Sequence, residues 1–211
     1  MSHYFDEVPA TPSAEVAVDV DVPGARFTLR TDRGVFSHGR LDAGTAVLLA
    51  HAPSPPAAGD VLDLGCGAGP IALTLATRSP AATVWAVDVN ARARALCAEN
   101  AARLGLSNVR VAAPADVPVT IRLATIWSNP PIRIGKPALH AALTTWLERL
   151  TPGGLAVLVV YKHLGADSLQ RWLTDQGWRT VRRYSARGFR LLTVTADLVP
   201  HLGDCEKFPI V

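Results

Sequence analysis

The chain of 211 residues lacks most of the features that mark secreted or membrane proteins. Its three cysteines, Cys66, Cys97 and Cys205, are an odd number without paired spacing, which favours reduced thiols over a disulfide framework. The N-terminus has neither the basic nor the apolar segment of a secretory signal. Apolar stretches such as 153–161 are shorter than the ~20 residues that span a bilayer. We therefore expect a cytoplasmic protein without a membrane segment.

Metal-ligand patterns and lysines are scarce as well. The six histidines lack metal-ligand spacing, so we predict no metal site. The net charge of +3 comes almost entirely from arginine, which permits a nucleic-acid partner without requiring one. Hydrophobic residues make up 49% of the chain and charged residues 18%, so a sizeable core is expected.

The hydrophobic pattern changes along the chain from alternation to separate apolar runs. Alternating residues predict a hairpin over 15–31, within an N-terminal extension of residues 1–30. A single domain is expected over 31–196, followed by a tail over 197–211. Continuous apolar strands separated by helices predict a doubly wound, mostly parallel α/β sheet. The predicted strands are 60–65, 82–89, 109–113, 123–129 and 154–161, with an antiparallel pair at 178–185 and 189–195, and the predicted helices are 45–52, 70–79, 91–105, 136–150 and 165–177.

A glycine-rich loop follows the first strand of the sheet, in the segment VLDLGCGAGP. Gly65, Gly67 and Gly69 let the backbone turn tightly at the rim where open parallel sheets bind ligands. An ordinary glycine-rich turn is the other interpretation. The dinucleotide fingerprint needs a glycine where Pro70 stands, and the charge of Asp63 would oppose a pyrophosphate. A ligand that carries an ammonium and a sulfonium instead of phosphates would be attracted, which describes S-adenosylmethionine.

One acidic residue ends the second strand of the sheet, and another follows the third strand. Asp88 stands about 20 residues beyond the loop, where a carboxylate accepts hydrogen bonds from both ribose hydroxyls. Asp116 follows the third strand and is predicted to face the adenine amino group, or else to be an exposed loop acid. Val89, beside Asp88, completes the predicted cofactor site together with Cys66, which we interpret as a small packing residue in the loop.

The segment Asn-Pro-Pro follows the fourth strand, so Asn129 is expected at the same rim as Gly65 and Asp88. Proline restricts the preceding residue to extended geometry, which holds Asn129 and Pro130 stiffly. Because prolines have no N–H to donate, the segment offers an amide side chain and a rigid carbonyl as acceptors. A simple turn that ends a strand is the structural alternative.

Both acceptors suit the two protons of an exocyclic amine. The nitrogen lone pair of such an amine is conjugated into the ring, so the amine is a poor nucleophile. Holding both protons favours pyramidal geometry and directs the lone pair at a methyl carbon. As positive charge develops on nitrogen, the same acceptors stabilise the transition state more than the ground state. We predict Asn129, Pro130, Pro131 and Ile132 as the catalytic segment, without a strong general base.

Together these segments resemble the methyltransferase small-domain family of class I S-adenosylmethionine-dependent methyltransferases, which includes 16S ribosomal RNA guanine-N2 methyltransferases. The resemblance implies a Rossmann-like class I sheet of seven strands in which the loop and acids hold S-adenosylmethionine. It also implies that the segment GVFS borders the methionine end of the cofactor and the substrate. Phe36, Ser37 and Thr45 are therefore further candidates for residues of the binding site. The matching segments are HYF at 3–5, TDRGVFSHGRLDAGT at 31–45, VLDLGCGAGP at 61–70, VDVN at 87–90, NPPIRIGK at 129–136 and GFRLL at 188–192.

The chain departs from the family pattern at two points. Many relatives have an aromatic residue after Asn-Pro-Pro that stacks on a flipped base, whereas this chain has Ile132. Some of the ribosomal enzymes also carry an additional N-terminal domain that helps to bind RNA. Here RNA affinity would come from the domain surface, with Arg133 and Lys136 as phosphate contacts or as solvated loop charges.

The sequence therefore predicts methyl transfer from S-adenosylmethionine to an exocyclic amine, with guanine N2 of 16S ribosomal RNA as the leading acceptor. Ribosomal RNA or the small ribosomal subunit is the expected partner, and the oligomeric state stays open. Adenine N6, a protein amide or a small molecule are alternative acceptors. A cofactor-binding RNA factor without catalysis is an alternative of another class, and a nicotinamide oxidoreductase is disfavoured by Asp63 and Pro70.

Overall fold

The computed structural model describes residues 11–195, which form an α/β sheet with a hairpin beside it. The predicted segment HYF and the predicted tail over 197–211 lie outside this range. The strands are β1 (Val16–Val22), β2 (Ala25–Thr31), β3 (Ala58–Leu64), β4 (Ala81–Val87), β5 (Val109–Ala112), β6 (Leu123–Ser128), β7 (Leu150–Tyr161), β8 (Arg179–Ala186) and β9 (Phe189–Thr195), and the α-helices are α1 (Ala43–His51), α2 (Pro70–Arg78), α3 (Ala91–Arg103), α4 (Lys136–Leu147) and α5 (Ala166–Asp175).

The seven-stranded sheet has the order β5-β4-β3-β6-β7-β9-β8. Strands β3 to β7 are parallel to one another, and β9 is antiparallel to both β7 and β8. The predicted doubly wound sheet with an antiparallel last pair is therefore confirmed. The chain runs outward from β3 through β5 and then returns to place β6 on the other side of β3. This switch point brings the carboxyl ends of β3, β4 and β6 together on one rim, where open sheets bind ligands.

Helices cover both faces of the sheet because its strands are apolar on both sides. Adjacent residues of β3 show this arrangement: Val61 packs into a core with α1, α2 and α3, whereas Leu62 packs into a core with α4 and α5. No helix within residues 11–195 is long and apolar enough to cross a membrane.

The predicted hairpin forms its own two-stranded antiparallel sheet. Its inward residues Val18, Val20 and Leu29 belong to the same buried cluster as α2 and α3. The side chain of Asn100 on α3 pairs with the backbone of Arg30, accepting from its N–H at 2.8 Å and donating to its carbonyl at 2.9 Å. The hairpin is thus packed against the helices that border the rim. The division into an extension and a domain stays a prediction.

Most element boundaries differ from the prediction by one to three residues, and two of the differences bear on the site. Strand β4 ends at Val87, so Asp88 follows the strand instead of closing it. Helix α1 begins at Ala43, two residues before the predicted start at Thr45, because the Asp42 side chain caps it. The Asp42 carboxylate accepts a hydrogen bond from the Thr45 N–H at 2.9 Å, as expected of an N-cap aspartate.

Candidate active site

A cavity of about 1130 Å³ opens at the rim where β3, β4 and β6 end. Nine of the predicted residues line it, namely Phe36, Gly65, Gly67, Asp88, Val89, Asn129, Pro130, Pro131 and Ile132. Ser37 and Arg133 also line this cavity. Thr45 and Cys66 line a smaller cavity that shares Gly65, Gly67 and Asn129 with it. The structure therefore brings the glycine loop, the acid after β4 and the Asn-Pro-Pro segment into one space.

The glycine loop is held in place by the end of β4. The N–H groups of Gly65 and Cys66 both donate to the Val87 carbonyl, at 2.8 Å and 3.0 Å. Gly65 has a φ of 81°, and a Cβ built on it would meet no atom within 4 Å. A side chain at this position would therefore be strained and would project into open space at the cavity. The missing side chain leaves room for a ligand against the backbone.

Asp88 connects the loop to α3. Its Oδ2 accepts from the Gly67 N–H and its Oδ1 from the Asn90 N–H, both at 2.9 Å. Burial raises the pKa of the Asp88 carboxyl above its ordinary value, while these two backbone hydrogen bonds work against the rise. Each carboxylate oxygen keeps a lone pair for a further donor, such as a ribose hydroxyl.

Asn90 fixes the GVFS segment over this region. Its Oδ1 accepts from the N–H groups of Arg92 and Ala93 and so caps α3, while its Nδ2 donates to the Gly34 carbonyl at 2.8 Å. The segment from Gly34 is thereby held beside Asp88, with Phe36 on the cavity wall.

Three predicted cofactor residues do not line either cavity. Asp63 is fully buried, and its Oδ2 accepts from the Ala72 N–H at the start of α2 at 2.9 Å. Burial raises the pKa of its carboxyl well above the ordinary range. Gly69 packs against Cys97 on α3. Asp116 is exposed on a 3-10 turn of residues 114–116.

Cys66 is a buried residue of the loop next to Cys97. A hydrogen bond with the Cys97 thiol and burial together raise the pKa of the Cys66 thiol well above its usual value. A thiol that stays protonated is a weak nucleophile, which agrees with a packing role for this side chain.

The Asn-Pro-Pro segment turns tightly away from β6. Pro131 has φ −75° and ψ 72°, the geometry of an inverse γ-turn, and the Ile132 N–H donates to the Pro130 carbonyl at 2.8 Å. One lone pair of that carbonyl is therefore used inside the turn. The Ser128 hydroxyl donates to the Leu64 carbonyl at 2.6 Å and ties the segment to the end of β3.

The Asn129 side chain is held by two residues at the start of α1. Its Nδ2 donates to Asp42 Oδ2 at 2.8 Å and to Thr45 Oγ1 at 3.1 Å. Within residues 11–195, the Asn129 Oδ1 accepts no hydrogen bond. The site thus presents an amide oxygen at the rim as an acceptor.

Sequence reasoning missed three side chains of the site. Asp42 could have been found as the N-cap of α1, because an aspartate precedes the apolar helical run. Tyr161 and Phe189 line the cavity with ring centroids 5.1 Å apart, and they lie on β7 and β9. Phe189 lies in the family-like segment GFRLL at 188–192, but its meeting with Tyr161 depends on the pairing of β7 with β9. They supply aromatic surface in the cavity that Ile132 also lines.

Basic side chains lie around the opening of the cavity. Arg40 and Arg133 line it and are exposed. Lys136 is exposed at the first residue of α4. Their role as phosphate contacts stays a prediction. Among residues 11–195, no group of three or more potential metal ligands comes together.

The residues at the rim fit S-adenosylmethionine. Gly65 leaves space beside the backbone, Asp88 offers acceptors for a diol, and Val35 and Val89 add apolar wall. Gly65, Gly67, Asp88 and Val89 are the residues that would hold the cofactor. The volume of about 1130 Å³ leaves room for an acceptor beside it.

Comparisons with known proteins agree with this geometry. The family model described as methyltransferase small domain matches residues 26–192. The uncharacterized protein YbxB of Bacillus subtilis (strain 168) is 36% identical over 169 residues, which are 79% of this chain and 84% of that protein. The ribosomal RNA small subunit methyltransferase C of Ectopseudomonas mendocina is 36% identical over 167 residues, which are 76% of this chain and 50% of that protein.

Solved structures of similar fold include methyltransferases with bound cofactor. A Thermus thermophilus 16S rRNA N2 methyltransferase in complex with AdoMet and guanosine has a TM-score of 0.69 and 24% identity, over 89% of this chain and 52% of that chain. A putative methyltransferase from Streptococcus mutans in complex with SAH has a TM-score of 0.53 and 21% identity, over 64% of this chain and 87% of that chain. These likenesses confirm the predicted class I fold, and the match to the methyltransferase small domain supports S-adenosylmethionine as the cofactor. The chain spans about half the length of the small subunit methyltransferases that it matches.

Proposed function

Because the chain belongs to the methyltransferase small-domain family, we propose that it methylates an exocyclic amine of ribosomal RNA, with guanine N2 as the acceptor. The observation that carries this proposal is the Asn129 amide oxygen, which has no partner among the described residues and lies at the rim with Asp88. Ribosomal RNA of the small subunit in the cytoplasm is the corresponding substrate. The likeness to ribosomal RNA small subunit methyltransferase C supports this choice.

The chemistry requires a weak nucleophile to be oriented. S-adenosylmethionine, when bound, supplies an electrophilic methyl group on a sulfonium. The guanine N2 lone pair forms the new N–C bond while the S–C bond breaks, and S-adenosylhomocysteine leaves with the electron pair. The extra proton on nitrogen passes to water after the transfer, so no strong base is needed.

Asn129 acts on the amine rather than on the cofactor in this proposal. Its Oδ1 accepts one N2 proton, and the Pro130 carbonyl has a free lone pair for the other. Both acceptors gain strength as positive charge develops on N2, so they lower the barrier more than they strengthen ground-state binding. The turn of Asn129, Pro130 and Pro131 holds them without further loss of freedom.

A flat acceptor also needs apolar surface beside the catalytic segment. Ile132 contributes one such surface, and the rings of Tyr161 and Phe189 line the same cavity. A flipped base gains stacking energy from aromatic side chains, which offsets part of the cost of unstacking it. These rings therefore support a base as acceptor despite the isoleucine after Asn-Pro-Pro.

The test is nucleoside mass spectrometry of total ribosomal RNA from cells with and without the gene. We expect N2-methylguanosine at one position of the small-subunit RNA to disappear without the gene and to return with the wild-type gene. It should not return with an Asn129→Ala gene that yields equal amounts of folded protein. Loss of a different methylated nucleoside would change the acceptor, and an unchanged nucleoside profile would refute ribosomal RNA as the substrate.

A further inference from the structure

We propose that Asp42 and Thr45 are positioning residues, which lock the Asn129 amide so that its oxygen faces the methyl-accepting amine. This inference rests on the proposed function, because it concerns the same acceptor. It adds two residues of α1 to the machinery of the site. Neither residue needs to touch the substrate in order to act.

The first argument is the number of protons on the amide. Asn129 Nδ2 carries two protons, and the structure gives it two acceptors, Asp42 Oδ2 at 2.8 Å and Thr45 Oγ1 at 3.1 Å. Both donors of the amide are therefore used on the side of α1. The oxygen of the planar amide points away from them and is left for another donor.

The second argument excludes the flipped amide. A carboxylate has no proton to donate, so an amide oxygen placed 2.8 Å from Asp42 Oδ2 would face two lone pairs without a proton between them. Thr45 alone would not select an orientation, because a hydroxyl both donates and accepts. Asp42 therefore decides which way the amide faces, and Thr45 uses the second proton.

The third argument is that Asp42 is itself fixed by the backbone. The same Oδ2 accepts the Thr45 N–H at 2.9 Å, as the N-cap of α1. The partial positive charge of the helix N-terminus stabilises the carboxylate there. Thr45 is buried in the first turn of the helix, with 3% of its surface exposed. Helix formation thus sets both acceptors before any ligand arrives.

An amide without these two partners is free to rotate and to present its N–H₂ to the amine. Two donors would then face each other, which disfavours the reactive geometry. Turnover should fall by about 10-fold to 100-fold, less than the loss of an entire transition-state contact, about 10²-fold to 10³-fold. Affinity for S-adenosylmethionine should stay the same, because in this proposal Asp42 and Thr45 act on Asn129 and not on the cofactor.

Two variants remove one partner each while sparing the helix. Asp42→Ser keeps an N-cap oxygen for the Thr45 N–H, but its shorter side chain does not reach Asn129. Thr45→Val removes the second acceptor at nearly equal volume, and Thr45→Ser restores it. Thr77→Val is the control for the substitution itself, since it removes a helical hydroxyl on α2 that, among residues 11–195, bonds the Leu73 carbonyl alone, at 2.8 Å.

The kinetic measurement uses small ribosomal subunits from cells that lack the gene as methyl acceptor, with calorimetric binding of S-adenosylmethionine in parallel. We expect lower kcat for Asp42→Ser and Thr45→Val, recovery in Thr45→Ser, and wild-type kinetics in Thr77→Val. Weaker cofactor binding with unchanged kcat in Thr45→Val would overturn the positioning role and make Thr45 a cofactor contact.

A second measurement does not depend on activity. In ¹⁵N-labelled protein, the Asn129 side-chain amide is assigned by its loss in Asn129→Ala. We expect two distinct and slowly exchanging Nδ2 protons in the wild type, altered shifts and faster exchange in Thr45→Val, and restoration in Thr45→Ser. Unaltered amide signals in both Asp42→Ser and Thr45→Val would refute the lock. If wild-type protein methylates no ribosomal substrate but the amide signals respond as expected, the proposed function fails and the lock stands.

Discussion

Asp88 is the residue at which the cofactor site can be tested most sharply. Its two carboxylate oxygens each accept a backbone N–H at 2.9 Å, each has a further lone pair, and the residue lines the cavity. Alanine at this position removes the acceptors for the ribose hydroxyls and the support of the Gly67 N–H. We therefore expect Asp88→Ala to weaken the binding of S-adenosylmethionine while most of the chain stays folded.

The expected magnitude follows from the hydrogen bonds that are lost. Two bonds to a charged acceptor contribute about 1.5–3 kcal/mol each, or about 3–6 kcal/mol together. The lower end of that range is expected, because each oxygen already accepts a backbone N–H. A loss of about 3 kcal/mol corresponds to a Kd roughly 100-fold to 200-fold higher. The Asp88→Asn variant should bind S-adenosylmethionine about as weakly, since the N–H₂ of asparagine would face a backbone N–H.

The assay is calorimetric titration with S-adenosylhomocysteine and with its 2′-deoxy analogue. Wild-type protein should bind the deoxy analogue more weakly than the parent compound, whereas Asp88→Ala should bind both alike, because the partner of the missing hydroxyl is gone. Equal weakening by the deoxy change in both proteins would refute a direct ribose contact and leave Asp88 as a support of the loop. Asp116→Ala, at an exposed position outside the cavities, should change Kd by less than about 3-fold, since exposed hydrogen bonds contribute about 0.5 kcal/mol.

Three further predictions concern catalysis and stability. Asn129→Ala should reduce turnover at least about 100-fold with nearly unchanged cofactor affinity, as measured by methyl transfer and calorimetry, and unchanged turnover would remove its role. The folded pKa of Asp63 lies above its unfolded value of about 3.9, so its contribution to stability is full below that pH and is lost as pH rises through the folded pKa. The free energy of unfolding, measured for wild type and Asp63→Asn at about pH 4 and about pH 8, should therefore favour the variant more at the higher pH. Parallel pH profiles of the two proteins would contradict the raised pKa. Gly69→Ala should lower the free energy of unfolding by about 2–4 kcal/mol, because φ is 99° and the new Cβ would lie 2.8 Å from Cys97 Sγ. Gly105→Ala is the control: its φ is 68° and its Cβ would meet open space, so it should lower the free energy of unfolding by about 1 kcal/mol. Equal losses in the two variants would exclude the clash with Cys97.

The prediction of the sheet succeeded because apolar periodicity reports burial directly. Strands buried on both faces are continuously apolar, and the helices between them are bounded by glycine, proline and capping residues. The order of strands and helices could therefore be predicted from the sequence. The predicted boundaries were less accurate, as at α1, which begins at Ala43 because Asp42 caps it. The likeness to the family rested on ordered short segments, which the family match over residues 26–192 confirms.

The local sequence determined which groups could carry the chemistry: a glycine loop, an acid after the next strand, and an amide stiffened by two prolines. Tertiary structure decided how they are used. It buried Asp63 beneath α2 and left Asp116 exposed. It brought Tyr161 and Phe189 together at the cavity, because β7 and β9 pair although they are separated along the chain. It also set Asp42 against Asn129, 87 residues apart in the chain. Hydrogen-bond orientation depends on distances of a few ångströms between such remote residues, which periodicity and spacing along a chain do not specify.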